Sequence, residues 1–526
     1  MMNLVTDPWL PVTDTKNRLR YISLNHLFEQ PNEWLDLVLK PHERVSVMRL
    51  LLCIVQAALT GGPVEDEWDA CIDEFPQTAL GYLKKWNGSF NLFDEKKPFL
   101  QIAELKPFNK EPTPITKLNF ALATGNNTTL FDHGGIGTTK DAPSRLIDES
   151  SLIISMLSFN NFSLGGLCPQ ATWGKTSTSK SGVKDAPCAP QSMIHCFVRK
   201  NTLIKTLHAN ILTQEQLADR YGENIGVPIW ECFPSSPFDE KAIKNATLTY
   251  IGRLVPMSRW LKILPDKKTM LMGDGFVYPA YPEFKETTSV EVVSTIKEKQ
   301  EYKIIGCKTT TPWRELNAIT TKRISDKNDI GGPAAIEKQS QSESYDLHIL
   351  GLKREKASIL DSVESILHVP DYYSISEGCR SSYSNEVKKS EIKASKLDRS
   401  IQRYLSLLLP DMGRIVNKSF TGERLKKNES EKYRSLKNKV KTKYLFHYWT
   451  LIEKQRHVLM HYVSLIGTDQ DQEREKAKQA WQSAINNAAE ETYKTLCAQE
   501  SPRQIKAYVA GWLLLHPTRS YQKEEA

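Results

Sequence analysis

The chain has 526 residues, of which 40% are hydrophobic, 25% charged and 9% aromatic. Those values exclude wholesale disorder and a fibrous repeat, and at roughly 100–200 residues per domain the length predicts two to four domains. Lys+Arg 70 against Asp+Glu 62 leaves +8, a mild basic excess that matters only where it is concentrated.

The opening segments, Asn3–Val12 and Arg20–Ser23, read as strands, with a helix from Leu24. Two core helices are expected over 44–60 and 66–85, the second broken or kinked at Pro76. The run Leu50–Leu59 is the most apolar of the chain but far short of the ~20 residues that span a bilayer. Residues 1–8 show neither a basic nor an apolar leader segment, so no secretory signal is expected. Phe90–Asp94 alternates like a strand. From about 120 to 190 the composition shifts to Gly, Asn, Thr and Ser, interrupted by one helix near 144–158. Loops of that length in a compact domain usually bind something. Strand-like segments return at Thr247–Ile251, Met270–Met272, Val290–Val293 and Tyr302–Ile305, followed by a polar stretch over about 322–345.

After about 380 helical periodicity takes over, near 384–409, 428–466, 470–498 and 502–515. In the second span Tyr433, Leu436, Val440, Tyr444, His447 and Leu451 make one apolar stripe, which needs neighbours. The expected fold class is α+β: a large mixed α/β domain, residues 1–378, then an antiparallel four-helix bundle, residues 379–526. Between Arg414 and Lys443 there are 11 basic residues and 3 acidic ones, a net +8 that equals the excess of the whole chain. Arg434, Lys437 and Lys441 share a face away from the stripe, where phosphates could bind; a solvated helix face is the plainer account.

Catalytic and metal motifs fail on inspection. The nine cysteines are scattered with no C-x-x-C pair, which fits reduced thiols in a cytoplasmic protein and no zinc. Gly174-Lys175-Thr176 ends like a P-loop, but Pro169 stands where its first glycine belongs. His457 and His461 have metal-helix spacing without the intervening acid, and read as bundle residues with one or both half-buried. Asp132-His133 has no nucleophile motif beside it. No cofactor and no enzymatic activity are expected.

Several segments in order, Asn3–Val12, Phe93–Gln101, Thr129–His133, Phe162–Leu167, Tyr250–Arg259 and Gly273–Pro279, together resemble the large subunit (CasA family) of the type I-E CRISPR effector complex Cascade. The resemblance implies a subunit that is not a nuclease. Its partners would be CRISPR RNA, double-stranded target DNA, the backbone, small and 5′-handle-binding subunits of the complex, and a helicase–nuclease recruited to it. Such a subunit checks a short flanking element, the PAM, and helps open the adjacent duplex, while base pairing reads the target.

Position by position, the resemblance implies that Gly165 and Gly166, with Ser163 beside them, form a glycine loop approaching the minor groove. Lys268 matches a PAM-contacting lysine, with Lys267 adjacent. Gly351–Ser358 matches a hairpin pushed between base pairs, with Glu355, Lys356 and Ala357 at its tip where relatives often carry glutamine. Thr129, Leu130, Phe131 and Asp132 match a loop docking at the guide RNA 5′ end and a neighbouring subunit. The basic face becomes a track for the displaced strand or flanking duplex. Two competing readings remain: an autonomous metal-dependent nuclease or hydrolase using Asp132 and His133, and a bridging subunit with no DNA-reading role.

Overall fold

The computed structural model describes residues 2–108, 111–120, 147–182, 184–222, 224–296, 299–307, 311–323, 331–340, 342–355, 358–409 and 411–516. The chain divides into two compact units, Met1–Val369 and Pro370–Ala526, so the division falls a few residues before the expected 378. The division follows the last strand, Ser358–Val369, because the short helix Asp371–Ile375 after Pro370 already packs on Glu377–Leu408, a helix that Ser376 caps at Cys379 and that starts seven residues ahead of the expected 384.

The first unit is built around the helix Pro41–Ala58, in which every residue from His42 to Gln56 is buried. A helix apolar on all sides must be surrounded. Helices Cys71–Trp86 and Glu149–Phe162 and the strand Tyr345–Glu355 pack on it. Its one deeply buried cation, Arg49, is offset by Glu286: Arg49 Nη1 and Arg253 Nε each lie 2.6 Å from that carboxylate. Burial works against the Glu286 charge, but the two guanidiniums outweigh it and hold its carboxyl at about 2.

Small antiparallel sheets cover this helical centre. Leu10–Asp14 lies between Leu19–Ile22 and Trp34–Leu37. Ile194–Arg199, Tyr345–Glu355 and Ser358–Val369 form a second sheet, and Arg259–Ile263, Thr269–Asp274 and Thr113–Pro114 a third. The two-residue strand Gly166–Leu167 pairs with Ser181–Gly182.

Some expectations are corrected. The strand expected at Thr247–Ile251 is instead the junction of helices Glu240–Leu248 and Tyr250–Leu254. The β-branched Thr247 and Thr249 return their hydroxyls to the carbonyls of Ile243 and Asn245, a helical habit, and Thr249 caps the second helix. Asn3–Val12 is a strand only from Leu10, because the Asp7 carboxylate takes the Asn3 amide into a turn before Pro8. Phe90 ends a single 3₁₀ turn, and only Asn91 bridges to Asn3, so Phe90–Asp94 is no strand. Pro76 lies inside Cys71–Trp86 without ending it; the helix starts five residues later than expected.

The second unit consists of helices joined by turns, with no strand among its described residues. Glu377–Leu408 packs on Met412–Thr421, Arg456–Ser464, Asp471–Leu496 and Pro502–Leu515. A Cβ on Gly511 would stand 2.6 Å from the Ser400 carbonyl and 2.1 Å from the Tyr493 hydroxyl, so glycine allows that last pair of helices to close. The span expected as one helix over 428–466 is instead Lys427–Lys439, a π-helical turn at Val440–Leu445, Phe446–Lys454 and Arg456–Ser464. Its buried stripe is Leu436, Val440, Tyr444, Tyr448 and Ile452; His447 and Leu451 fall beside it. Helix Met412–Thr421 forms where none was expected. His457 and His461 are both exposed rather than half-buried.

Among the described residues no helix is long and apolar enough to cross a membrane, and no three acids, histidines and cysteines group as a metal site. Gly174 turns a two-strand hairpin at φ 62°, with strand on both sides and no helix to receive a phosphate.

Candidate nucleic-acid interface

The glycine segment begins where helix Glu149–Phe162 ends. Ser163, expected to face DNA, is 2% exposed: its hydroxyl lies 3.2 Å from that of Ser258, and its carbonyl accepts from the Ala186 amide. It is a stitch holding the segment to the neighbouring hairpin. Arg259 completes the attachment, its Nη2 donating to the Leu164 carbonyl at 2.9 Å and its Nη1 lying 3.4 Å from Asp274.

Gly165 and Gly166 emerge from this anchorage. Gly166 has φ +143°, which strains any side chain, and a Cβ on Gly165 would stand 3.3 Å from the Gly182 carbonyl. Both are half-buried, and Leu167, next in sequence, is 90% exposed. The Gly165 amide donates to Asp185 Oδ1 at 2.9 Å.

Lys268 occupies the turn of the hairpin Arg259–Ile263/Thr269–Asp274. Asp266 shapes the turn by accepting from the amides of Lys268 and Thr269, each at 3.0 Å. Lys267 is the engaged neighbour: it takes φ +53°, pairs with Glu149 at 2.9 Å and lies 4.3 Å over the Phe93 ring. Lys268 is exposed, and no ion pair or hydrogen bond among the described residues involves its ammonium. The glycine segment docks at the opposite, open end of this hairpin, so five strand residues, ~17 Å, separate the two. A cleft of about 340 Å³ lies along that interval, lined by Leu167–Gln170 on one side and Met270–Met272 on the other. Lys180 and Lys117 also border it. Burial pushes the Lys117 ammonium below the usual lysine range.

The third component is the hairpin Tyr345–Glu355/Ser358–Val369, in which Glu355 pairs with Ser358 at the far end. Its sheet partner Ile194–Arg199 reaches only Gly351. There a Cβ would meet Cys307 Sγ at 2.4 Å, so glycine permits that close pairing. Residues Leu352–Glu355 and Ser358–Asp361 continue past the partner strand. Register shifts between Lys353 and Arg354, leaving Leu360 of the facing strand unpaired. Arg354 meets Asp185 through two bonds, Nη2–Oδ2 at 2.5 Å and Nη1–Oδ1 at 3.1 Å. Glu355 is exposed at the end of its strand. Lys356 and Ala357, and the docking-loop residues Thr129, Leu130, Phe131 and Asp132 with His133, lie outside the described residues.

In the second unit Arg434, Lys437 and Lys441 are all exposed. Lys418 consumes Glu429 in a pair at 3.1 Å, so one of the three local acids is already neutralised. Lys437 and Lys443 lie 5.4 and 5.8 Å over the rings of Tyr433 and Tyr444.

Arg259, Asp185 and Arg354, which hold this region together, were not singled out from the sequence. Arg354 lies inside the hairpin motif, and Arg259 ends another. Asp185 had no signal, standing in a run of small and polar residues.

A family model described as CRISPR-associated protein Cse1 matches residues 3–492. The CRISPR-associated protein CasA/Cse1 of Thermus thermophilus is 26% identical over 389 residues, 70% of this chain and 71% of that protein. The Cse1 structure of Thermobifida fusca aligns at TM-score 0.71 and 17% identity, covering 98% of this chain and 97% of that one. A chain of a CRISPR RNA-guided surveillance complex aligns at TM-score 0.69 and 16% identity, covering 98% and 99%. With a family match running through both units, this chain belongs to the CRISPR-associated Cse1 family.

Proposed function

We propose that this chain is the non-catalytic large subunit of a type I-E CRISPR RNA-guided surveillance complex, acting in the cytoplasm with CRISPR RNA and the other Cascade subunits. In this reading the backbone of Gly165 and Gly166 and the ammonium of Lys268 read the PAM through the minor groove of double-stranded DNA. The tip Glu355-Lys356-Ala357 then occupies the gap as the first base pairs part, which costs roughly a few kcal/mol per step. Thr129–Asp132 docks the subunit on the guide RNA end. The helical unit, packed as an antiparallel bundle, carries the displaced strand along Arg434, Lys437 and Lys441, and the assembled subunit helps recruit the helicase–nuclease.

The observation that carries this reading is a meeting of two features: a glycine edge strained for a side chain at Gly166 and tight for one at Gly165, and a hairpin that outruns its sheet, joined beside each other through Asp185. Minor-groove readout asks for backbone that can approach closely and a cation for acceptor-lined base edges. The test is target-DNA affinity of the guide-RNA complex, reconstituted with and without this chain, on duplexes differing only in the few flanking base pairs. Adding the chain is expected to create a preference among flanks that Lys268→Ala reduces. An equal gain for every flank leaves a bridging, charge-only subunit, and metal-dependent cleavage by the isolated chain would establish a nuclease instead.

A further inference from the structure

The carboxylate of Asp185 is shared. Its Oδ1 accepts from the Gly165 amide at 2.9 Å and from Arg354 Nη1 at 3.1 Å, while Oδ2 accepts from Arg354 Nη2 at 2.5 Å. One acid therefore fixes the backbone of the glycine segment and the projecting hairpin just before its tip, which are 189 residues apart in sequence, Gly165 to Arg354. A two-pronged guanidinium–carboxylate pair defines angle as well as distance. Its side chains are only 19% and 22% exposed, so water competes weakly for it. The hairpin side is held as well: the Arg354 amide donates to Ser192 Oγ at 3.0 Å, and Arg354 pairs with Ile359 across the hairpin.

We infer that Asp185 is the positioning residue that makes flank reading and duplex opening a single event. This rests on the proposed reading of the glycine segment and hairpin. Seating the glycine edge in the groove sets, through Asp185 and Arg354, where the hairpin tip meets the adjacent base step. Without that carboxylate, each feature can still touch DNA, but the tip is no longer delivered to a fixed position by a recognised flank.

The test uses the reconstituted guide-RNA complex carrying wild-type chain, Asp185→Ala, Asp185→Asn, Arg354→Lys or Lys268→Ala. Targets have a preferred or a poor flank, each as full duplex and with the first base pairs beside the flank already mismatched. Opening is read from a fluorescent base analogue at the first step, affinity by titration, and folding of each variant by thermal melting. Asp185→Ala is expected to slow opening of the preferred-flank duplex about tenfold, the loss of one partly exposed charge-assisted fork, and the pre-opened target restores wild-type binding. Arg354→Lys keeps the charge but loses the fork, and Asp185→Asn keeps an acceptor for the Gly165 amide; both shift opening the same way by less. The double variant Asp185→Ala/Arg354→Lys is no worse than Asp185→Ala, because both remove one linkage.

If the Asp185 and Arg354 variants open duplex at the wild-type rate, or lose equally on paired and pre-opened targets, the inference is overturned while a Lys268-dependent flank preference leaves the functional reading standing. If the wild-type chain itself confers no flank preference and no opening, the reading falls and takes the inference with it. Should Asp185→Ala fail to fold, the same comparison is made with Asp185→Asn and Arg354→Lys.

Discussion

The glycine segment of the first unit and the basic helix of the second are both candidates for touching nucleic acid, but they are built oppositely. Around the glycines, the charged groups that hold the segment in place are paired, Arg259 with Asp274 and Arg354 with Asp185, and at the far end of the hairpin Lys267 meets Glu149 beside the exposed Lys268. On the basic helix charge is abundant, and Arg434 and Lys441 have no ion-pair partner among the described residues. Fixed geometry suits discrimination, and loose charge suits affinity, because phosphate contacts carry no sequence information while groove contacts do.

The largest expected effect probes charge that is buried rather than displayed. Glu286→Ala would strand Arg49 and Arg253 inside the first unit, and about 3–5 kcal/mol of stability should disappear in a denaturant titration. The same carboxyl predicts the acid limit. It is held at about 2 in the folded chain against a reference of 4.5. Its contribution is therefore complete above pH 4.5 and is lost as pH falls toward 2, a dependence that Glu286→Gln abolishes. A flat acid profile in the wild-type chain would remove this network from the stability account.

Next comes the triple replacement of Arg434, Lys437 and Lys441 by alanine. Within the proposed reading, each lost phosphate contact lowers the log–log salt slope of DNA binding by about 0.9, so the three together lower it by about 2–3. Discrimination between flanks should not change. An unchanged slope takes this face off the DNA path. Gly166→Ala is the converse: strain at φ +143° of ~1–3 kcal/mol distorts the glycine edge, flank preference falls, and the salt slope stays as it was. The smallest effect separates two adjacent lysines. Lys267→Ala removes a surface ion pair worth below about 1 kcal/mol in thermal melts and leaves flank preference intact, whereas Lys268→Ala reduces the preference and not the melting temperature.

What the sequence made legible follows the same division. Periodicity located the buried helix Pro41–Ala58 and the helical second unit, because both are decided by apolar spacing along one segment. It misjudged Thr247–Ile251, where β-branched residues suggested a strand and hydroxyl caps won. Resemblance led to Tyr250–Arg259 and Gly273–Pro279 without saying what they do. In the structure they are largely packing: Arg253 pairs with Glu286, Tyr278 accepts from the Met257 amide, and a Cβ on Gly275 would stand 2.3 Å from the Met257 carbonyl. Ser163, expected beside the glycines as a polar neighbour, is an internal stitch in the structure. Asp185 could not be read at all, because its partners come from two distant stretches of chain and no local pattern encodes such a meeting.

The π-helical turn at Val440–Leu445 acts as a phase corrector. Residues four apart on an α-helix overshoot a full turn by about 40°, so the four steps from Leu436 to Ile452 would swing the buried row by about 160°, nearly to the opposite side. The wider turn takes up much of that overshoot, and Leu436, Val440, Tyr444, Tyr448 and Ile452 all remain inward. The lysines at 441 and 443 sit on the corrector itself, so their outward bearing depends on its one surplus residue. Were all six residues of the turn to take α geometry, everything after it would rotate by about 100°, disengaging the hydrophobic row and the cationic row together, whereas deleting Thr442 would remove the surplus residue and leave both rows in phase.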